Sequence, residues 1–138
     1  MTRHVLIDTG PVVAGLNRRD EHHAWARALL ERTRPPLLTC EAVLAEACFL
    51  LRDTGGGSAG VMEMVNRGAL KPSFRLGDHV SSVAGLMQKY ADVPMSLADA
   101  CLVRMSELYD DCTLATCDGD FRIYRRNGRR RIPVAMPG

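Results

Sequence analysis

His4-Val5-Leu6-Ile7-Asp8-Thr9-Gly10-Pro11 is the stretch on which the fold turns. A short apolar run ends abruptly in Asp-Thr-Gly-Pro, good turn chemistry, so the segment reads as a strand closed by a turn. Downstream, helical spacing appears around Trp25, Ala28, Leu29 and Arg32, with Asp20 placed to cap it and Pro35-Pro36 to stop it. Leu37-Leu38-Thr39-Cys40 reads as a second strand, and Ala42 to Leu51 as a helix apolar on nearly every side. Beyond the loop at Gly55-Gly56-Gly57, Ser58 caps a helix containing Val61, Met62 and Val65 that ends at Gly68. Ser73 to Leu76 reads as a third strand. Asp78 caps a helix from Val80 to Tyr90, and Ser96 starts another from Leu97 to about Tyr109. Cys112 to Thr116 is a fourth strand and Ile132 to Ala135 a weak fifth. Strands alternating with helices in this way predict an α/β domain around a parallel sheet of four to five strands. Sites in such sheets form beyond the carboxyl ends of the strands.

The 138 residues suit a single domain, residues 1–138, and 46% hydrophobic with 25% charged residues excludes a disordered tail, a collagen-like chain and a two-domain enzyme. The apolar stretch from Ala42 to Leu51 is broken by Glu46 and is too short to cross a bilayer. The first residues hold no secretory apolar region, so the expected location is cytoplasmic, with no membrane partner. Cys40, Cys48, Cys101, Cys112 and Cys117 form no CxxC pair and no zinc spacing, and read as buried reduced thiols. His22 and His23, after Asp20, read as structural residues at a helix start. A net charge of +2 says little about partners, but six of the sixteen Arg fall between Arg122 and Arg131.

The acidic residues carry the chemistry. Asp8 follows the first strand directly, and Asp118 and Asp120 follow the fourth, so they share one edge of a parallel sheet. Glu46 is the only charge between Ala42 and Leu51, and Asp99 the only one between Val93 and Val103. A lone ionised carboxylate in apolar surroundings is strongly disfavoured and would take up a proton unless compensated. Convergence of Asp8, Glu46, Asp99 and Asp118 on one divalent cation would compensate all of them. Oxygen ligands without Cys or His suit Mg²⁺, or Mn²⁺ as its substitute. Each acid also has a plain structural reading. Asp8 can begin a turn, Ser96-x-x-Asp99 is close to a capping box, Glu46 can snorkel or pair with an Arg, and Asp118-Gly119 is a common turn pair. Four such positions in one plausible fold favour the shared site.

These motifs resemble the PIN-domain nucleases. The resemblance rests on Leu6-Ile7-Asp8-Thr9-Gly10, Leu44-Ala45-Glu46-Ala47, Ser96-Leu97-Ala98-Asp99-Ala100 and Thr116-Cys117-Asp118-Gly119-Asp120-Phe121, and spans about residues 4 to 136. The size of the chain is similar to the toxin half of bacterial VapBC-type toxin–antitoxin pairs. The resemblance implies a three-layer α/β/α sandwich and a Mg²⁺- or Mn²⁺-dependent endoribonuclease. It implies Asp8, Glu46, Asp99 and Asp118 as the acidic quartet around the metal, supported by Thr116, Asp120 and Thr9. It further implies a homodimer and a cognate antitoxin. Glu41 lies five helical positions before Glu46, which points the two about 140° apart, so only one can face a metal. Glu46 is the choice, because an acid at a helix start is already favoured by the backbone dipole.

The expected chemistry is attack of a metal-activated water on an RNA phosphodiester, with no nucleophilic Ser, Cys or Lys. Arg122, Arg125, Arg126 and Arg129, just beyond Asp120, are expected to track RNA phosphates. Few aromatic residues argue against a base-stacking platform. Two other readings stay open: an RNA-processing or DNA nuclease of the same fold that is not a toxin, and a non-catalytic binding module. A phosphatase with Asp-x-Asp after strand one is disfavoured by Gly10, and a receiver domain by the lack of a late Lys. No Walker loop or GxGxxG is present.

Overall fold

Neighbouring side chains of a strand point to opposite faces of its sheet, and in β1 (His4–Ile7) both faces are covered. Leu6 packs into one buried apolar cluster and Ile7 into a second on the other side. The structure is a computed structural model and describes residues 2–138. After β1 come α1 (Thr9–Leu16), α2 (His23–Arg32), β2 (Leu37–Thr39), α3 (Glu41–Leu50), α4 (Gly57–Asn66), β3 (Leu70–Pro72), α5 (Val80–Lys89), α6 (Leu97–Leu108), β4 (Cys112–Ala115), β5 (Arg125–Arg126), β6 (Arg130–Arg131) and β7 (Val134–Ala135). Short 3-10 turns cover Leu76–Asp78 and Gly119–Arg122.

The main sheet has five parallel strands in the order β3-β2-β1-β4-β7, within the expected range of four to five. Leu6, Leu38 and Leu114 stand in a row on the face covered by α5 and α6, where they meet Val83, Leu102 and Met105. Ile7, Leu37, Leu70 and Ala115 face the other way, toward Val12 of α1, Leu29 of α2 and Val61 and Met64 of α4. Helix α3 serves both layers, with Val43 turned to the first and Leu44 and Ala47 to the second. The result is the α/β/α sandwich that the family resemblance implies.

Several expectations need correction. The turn after Ile7 is the start of α1: Asp8 is its N-cap and its side chain accepts from Thr9 N–H. Pro11 fits there because the first turn of a helix has backbone N–H groups without intrahelical partners. The third strand lies at Leu70–Pro72, not Ser73–Leu76. Pairing decides it, since Leu70 stands opposite Leu37 and Pro72 opposite Thr39, after which Phe74 leaves the sheet for the α5–α6 core. Helix α2 starts at His23, with Asp20 instead accepting from His22 N–H. Helix α4 starts at Gly57 rather than behind Ser58, and Asp78 lies in a 3-10 turn paired with Arg75 rather than capping α5. Helix α3 is not buried all round, because Glu46, Phe49 and Leu50 are exposed. Its composition is that of a core helix, yet one face has no neighbour. Among the described residues all five cysteines are free, with Cys40, Cys101 and Cys112 buried and Cys48 and Cys117 half-buried.

The Arg-rich stretch forms an antiparallel hairpin of β5 and β6, turned by Asn127 and Gly128 in left-handed conformations. Glu107, at the end of α6, accepts from Asn127 N–H at 2.6 Å. Arg126 departs from the expected phosphate contact: it is 2% exposed, and its guanidinium donates to the Asp110 carbonyl (3.1 Å) and carboxylate (3.4 Å). It anchors the hairpin to the end of α6. Arg126→Ala is therefore expected to cost about 1–3 kcal/mol of stability through lost charge-assisted hydrogen bonds and packing. Urea unfolding measures it, and an unchanged midpoint would contradict the anchoring role.

Candidate active site

Strand β1 ends one residue before Asp8 and strand β4 one residue before Thr116. The two strands pair Ile7 with Ala115, so these next residues emerge side by side at the carboxyl edge of the sheet. Thr116 Oγ1 donates to Asp8 Oδ2 at 2.7 Å, and the same hydroxyl oxygen accepts from Asp118 N–H at 3.0 Å. Asp118 Oδ1 accepts from Asp120 N–H at 2.9 Å, which closes the turn after β4. Gly10 is required by a close approach: a Cβ there would lie 3.1 Å from the Cys117 Cβ, so the first turn of α1 sits hard against the loop carrying Asp118.

Asp99 arrives from α6. Ser96 Oγ accepts from Asp99 N–H and Asp99 Oδ2 accepts from Ser96 N–H, both at 3.0 Å, a complete capping box. The structural reading of this motif and its place at the cleft are compatible, because the cap uses Oδ2 and leaves Oδ1 without a protein partner. Tyr124, fully buried, donates its hydroxyl to the same Oδ2 at 3.4 Å. It stands edge-on to both Tyr90 and Phe121. Tyr124 was not singled out from the sequence; its contact spans 25 residues and no local pattern announces it.

Asp8, Glu46, Asp99 and Asp118 line one cleft of about 510 Å³ together with Thr9, and no Lys, Arg or His lines it. Glu41 is not among the lining residues. Asp120 also stays outside the lining, in the 3-10 turn below it. Arg122 and Arg129 are exposed, while Arg125 donates its Nη1 to the carbonyls of Arg122, Ile123 and Tyr124.

Burial raises the Asp8 carboxyl from 3.8 to about 6, against the lowering effect of the Thr116 and Thr9 hydrogen bonds, and the charges of Asp99 and Asp118 push it further up. Asp99 is also raised, first by burial and then by Asp118 and Glu46. The Cys117 thiol is raised to about 11 by burial and by the Asp20 charge, so it is not a thiolate nucleophile near neutrality. The cleft thus concentrates negative charge that no side chain within it neutralises. Among the described residues no three Asp, Glu, His or Cys side chains are drawn into a tight ligand set. The donor chemistry still suits a hard divalent cation, being carboxylate oxygen with Thr9 Oγ1, a buried hydroxyl without a hydrogen-bond partner, at the cleft wall.

The PIN domain family model matches residues 5–127. The chain belongs to the PIN domain family. The solved structure of VapC20 from Mycobacterium tuberculosis, described as a sarcin–ricin loop cleaving toxin, is similar to this PIN domain. The TM-score is 0.72 at 21% identity, covering 84% of this chain and 91% of that one. No curated protein matches the chain. Among the described residues of this PIN domain no helix is long and apolar enough to cross a membrane.

The raised Asp8 pKa sets a pH dependence. The folded PIN domain holds this proton up to about pH 6, whereas the unfolded chain releases it near 3.8. Without divalent metal, stability contributed by Asp8 is therefore full below about pH 4 and is lost as pH rises to about 6. At 1.36 kcal/mol per pKa unit the loss is about 3 kcal/mol. Asp8→Asn lacks that loss, so in a chelating buffer at pH 7 it should be more stable than the parent by about 1–3 kcal/mol and nearly equal at pH 4. Urea unfolding at the two pH values measures this, and a variant less stable at pH 7 would contradict the burial cost.

Proposed function

We propose that the protein is a divalent-metal-dependent endoribonuclease, acting as a type II toxin held in check by a cognate antitoxin. The observation that carries this reading is the cleft in which Asp8, Glu46, Asp99 and Asp118 meet without a basic partner. Membership of the PIN domain family supports nuclease chemistry, and the similarity to a structure described as a sarcin–ricin loop cleaving toxin supports RNA as the substrate.

Asp8, Asp99 and Asp118 would hold Mg²⁺ or Mn²⁺, with Glu46 completing the set from the exposed face of α3. The ion supplies a water of lowered pKa and neutralises charge on the phosphoryl group. Thr116 holds Asp8 by its hydroxyl and keeps the Asp118 loop against it. Ser96 and Tyr124 fix Asp99 through one carboxylate oxygen, which leaves the other to face the cleft. Glu46, exposed at the cleft, or Asp118 would accept the proton of the attacking water. Thr9 Oγ1, buried and unpartnered, is available to hold a water at the cleft wall. An acidic cleft also suits an antitoxin that inserts a basic side chain, with the exposed Leu50 beside it as an apolar contact. The reading includes a homodimer.

RNA cleavage followed against divalent concentration tests the assignment, with Asp8→Asn and Asp99→Asn beside the parent. Cleavage should require Mg²⁺ or Mn²⁺ and fall at least about 100-fold in either variant, the scale of losing a group that sets metal affinity. Asn can still accept from Ser96 N–H, so Asp99→Asn should stay folded. Equal cleavage in EDTA and in Mg²⁺ would overturn the metal-dependent reading.

Burial of Arg126 and internal use of Arg125 reduce the phosphate track to Arg122 and Arg129, joined by exposed Arg131 on the hairpin. A single strand contributes about −0.7 per neutralised phosphate to the slope of log affinity against log salt, so replacing these three by Ala should flatten the slope by about 2. Binding titrations with uncleavable RNA at several salt concentrations read the slope, and an unchanged one removes the hairpin from the interface.

A further inference from the structure

A second hollow of about 390 Å³ lies away from the acidic cleft, at the other end of β1. His4 opens that strand and Asp8 follows its last residue, so at about 3.3 Å per residue the two are about 13 Å apart. The hollow is lined by residues at the start of β1, from β2 and β3, and from the loop before β2. Lys71 is paired with Leu38, which is paired with Leu6, so its side chain shares their face of the sheet. Arg34 joins it from the loop before β2, and Arg3 from the start of β1.

Three features mark this hollow as built for an anion. Arg3, Arg34 and Lys71 all line it, and no Asp or Glu does. Among the described residues none of these three exposed side chains makes a hydrogen bond or an ion pair, so each is free to turn to a ligand. Lys71 on an edge strand also discourages strand addition, but Arg3 and Arg34 have no such duty. The inner wall is polar and incompletely satisfied. His4 Nδ1 is sheltered without a partner, and Ser73 Oγ accepts from the Tyr109 hydroxyl, so its own proton is left to donate into the hollow. Pro35, Pro36 and the Tyr109 ring beside His4 contribute apolar surface to the rest of the wall, together with Val5 and Leu38.

We propose that this hollow is a nucleotide site, with a phosphoryl group held among Arg3, Arg34 and Lys71 and a base laid against Pro35, Pro36 and Tyr109. Three cations around one opening supply the charge-assisted bonds that phosphate oxygens take. The Tyr109 ring and the two prolines, with a sheltered imidazole beside them, supply apolar surface on which a base stacks and finds one polar contact. The volume lies within the range of small-molecule sites. The nucleotide is either free or one unit of an RNA chain whose cleaved bond lies at the opposite edge of the sheet. The site does not depend on the nuclease reading, because binding at it is measured without cleavage.

The test is titration of the full-length, isotope-labelled protein in a metal-free, low-salt buffer with 5′-AMP, with inorganic phosphate and with a 2′-O-methylated RNA tetranucleotide. Amide shifts report where each probe binds. 5′-AMP should move the amides of Val5, Arg34 and Lys71, leave those of Gly10 and Asp118 in place, and half-saturate at least about tenfold below inorganic phosphate, the equivalent of one good stacking contact. Arg34→Glu with Lys71→Glu should weaken 5′-AMP at least about tenfold while the amide spectrum stays that of the folded parent. A tetranucleotide tighter than 5′-AMP assigns the site to an RNA chain, and one no tighter assigns it to the free nucleotide. Absence of shifts at about 10 mM 5′-AMP, well past the weakest specific binding scale, overturns the proposal. Shifts that survive the charge reversal, or phosphate binding as tightly as 5′-AMP, overturn it equally.

Discussion

The register between β1 and β4 is the constraint on which the core and the cleft both depend. Ile7 stands opposite Ala115, and Asp8 N–H continues the ladder by donating to the Ala115 carbonyl at 2.9 Å. One residue further, both chains stop being strand, and Asp8 and Thr116 face each other across 2.7 Å. Because side chains alternate along a strand, a slip of one residue would exchange the two faces. It would send Leu6 into the layer built around Ile7 and turn Asp8 away from the Thr116 hydroxyl. Apolar packing that fixes the register therefore also fixes the first carboxylate of the cleft.

Sequence patterns reached those parts of the fold whose cause is local. β1, β2 and β4 are apolar runs with turn residues behind them, and α6 announces itself by Ser96 and Asp99 at capping distance. Asp8, Glu46, Asp99 and Asp118 could be nominated because a charge alone in an apolar stretch has a visible cost. Where the cause is a distant partner, local reading failed. Ser73–Leu76 has strand composition, but the edge of β2 pairs with Leu70–Pro72. Asp-Thr-Gly-Pro has turn composition, but an Asp beside the first N–H of a helix is a cap, and a Pro in the first turn leaves no intrahelical bond unmade. The Arg run shows nothing of which guanidinium turns inward, and Arg126 does so only because the end of α6 lies beneath it. Glu46 could be placed on a helix, but not on its open side, since Phe49 and Leu50 look like core residues and are 61% and 53% exposed.

Charge is distributed unevenly over the molecule, and each part has a different energetic standing. Asp8 and Asp99 are partly desolvated and repelled by the neighbouring acids, which works against folding with both ionised. The basic stretch is solvated at Arg122, before the hairpin, and at Arg129 within it, and costs little. This PIN domain carries an energetic cost at its acidic cleft, of the kind that the general trade between a stable chain and a functional site leads one to expect.

Asp99 does two jobs with two oxygens. Oδ2 completes the start of α6 with Ser96 and receives Tyr124, and Oδ1 is left without a protein partner on a residue that lines the cleft. The opening turn of this helix and one wall of the cleft are consequently a single mechanical part. Fraying of α6 at Ser96 would swing the carboxylate out of place, so slow amide exchange at Asp99 and Ala100 would be a gauge of how long the cleft keeps its shape.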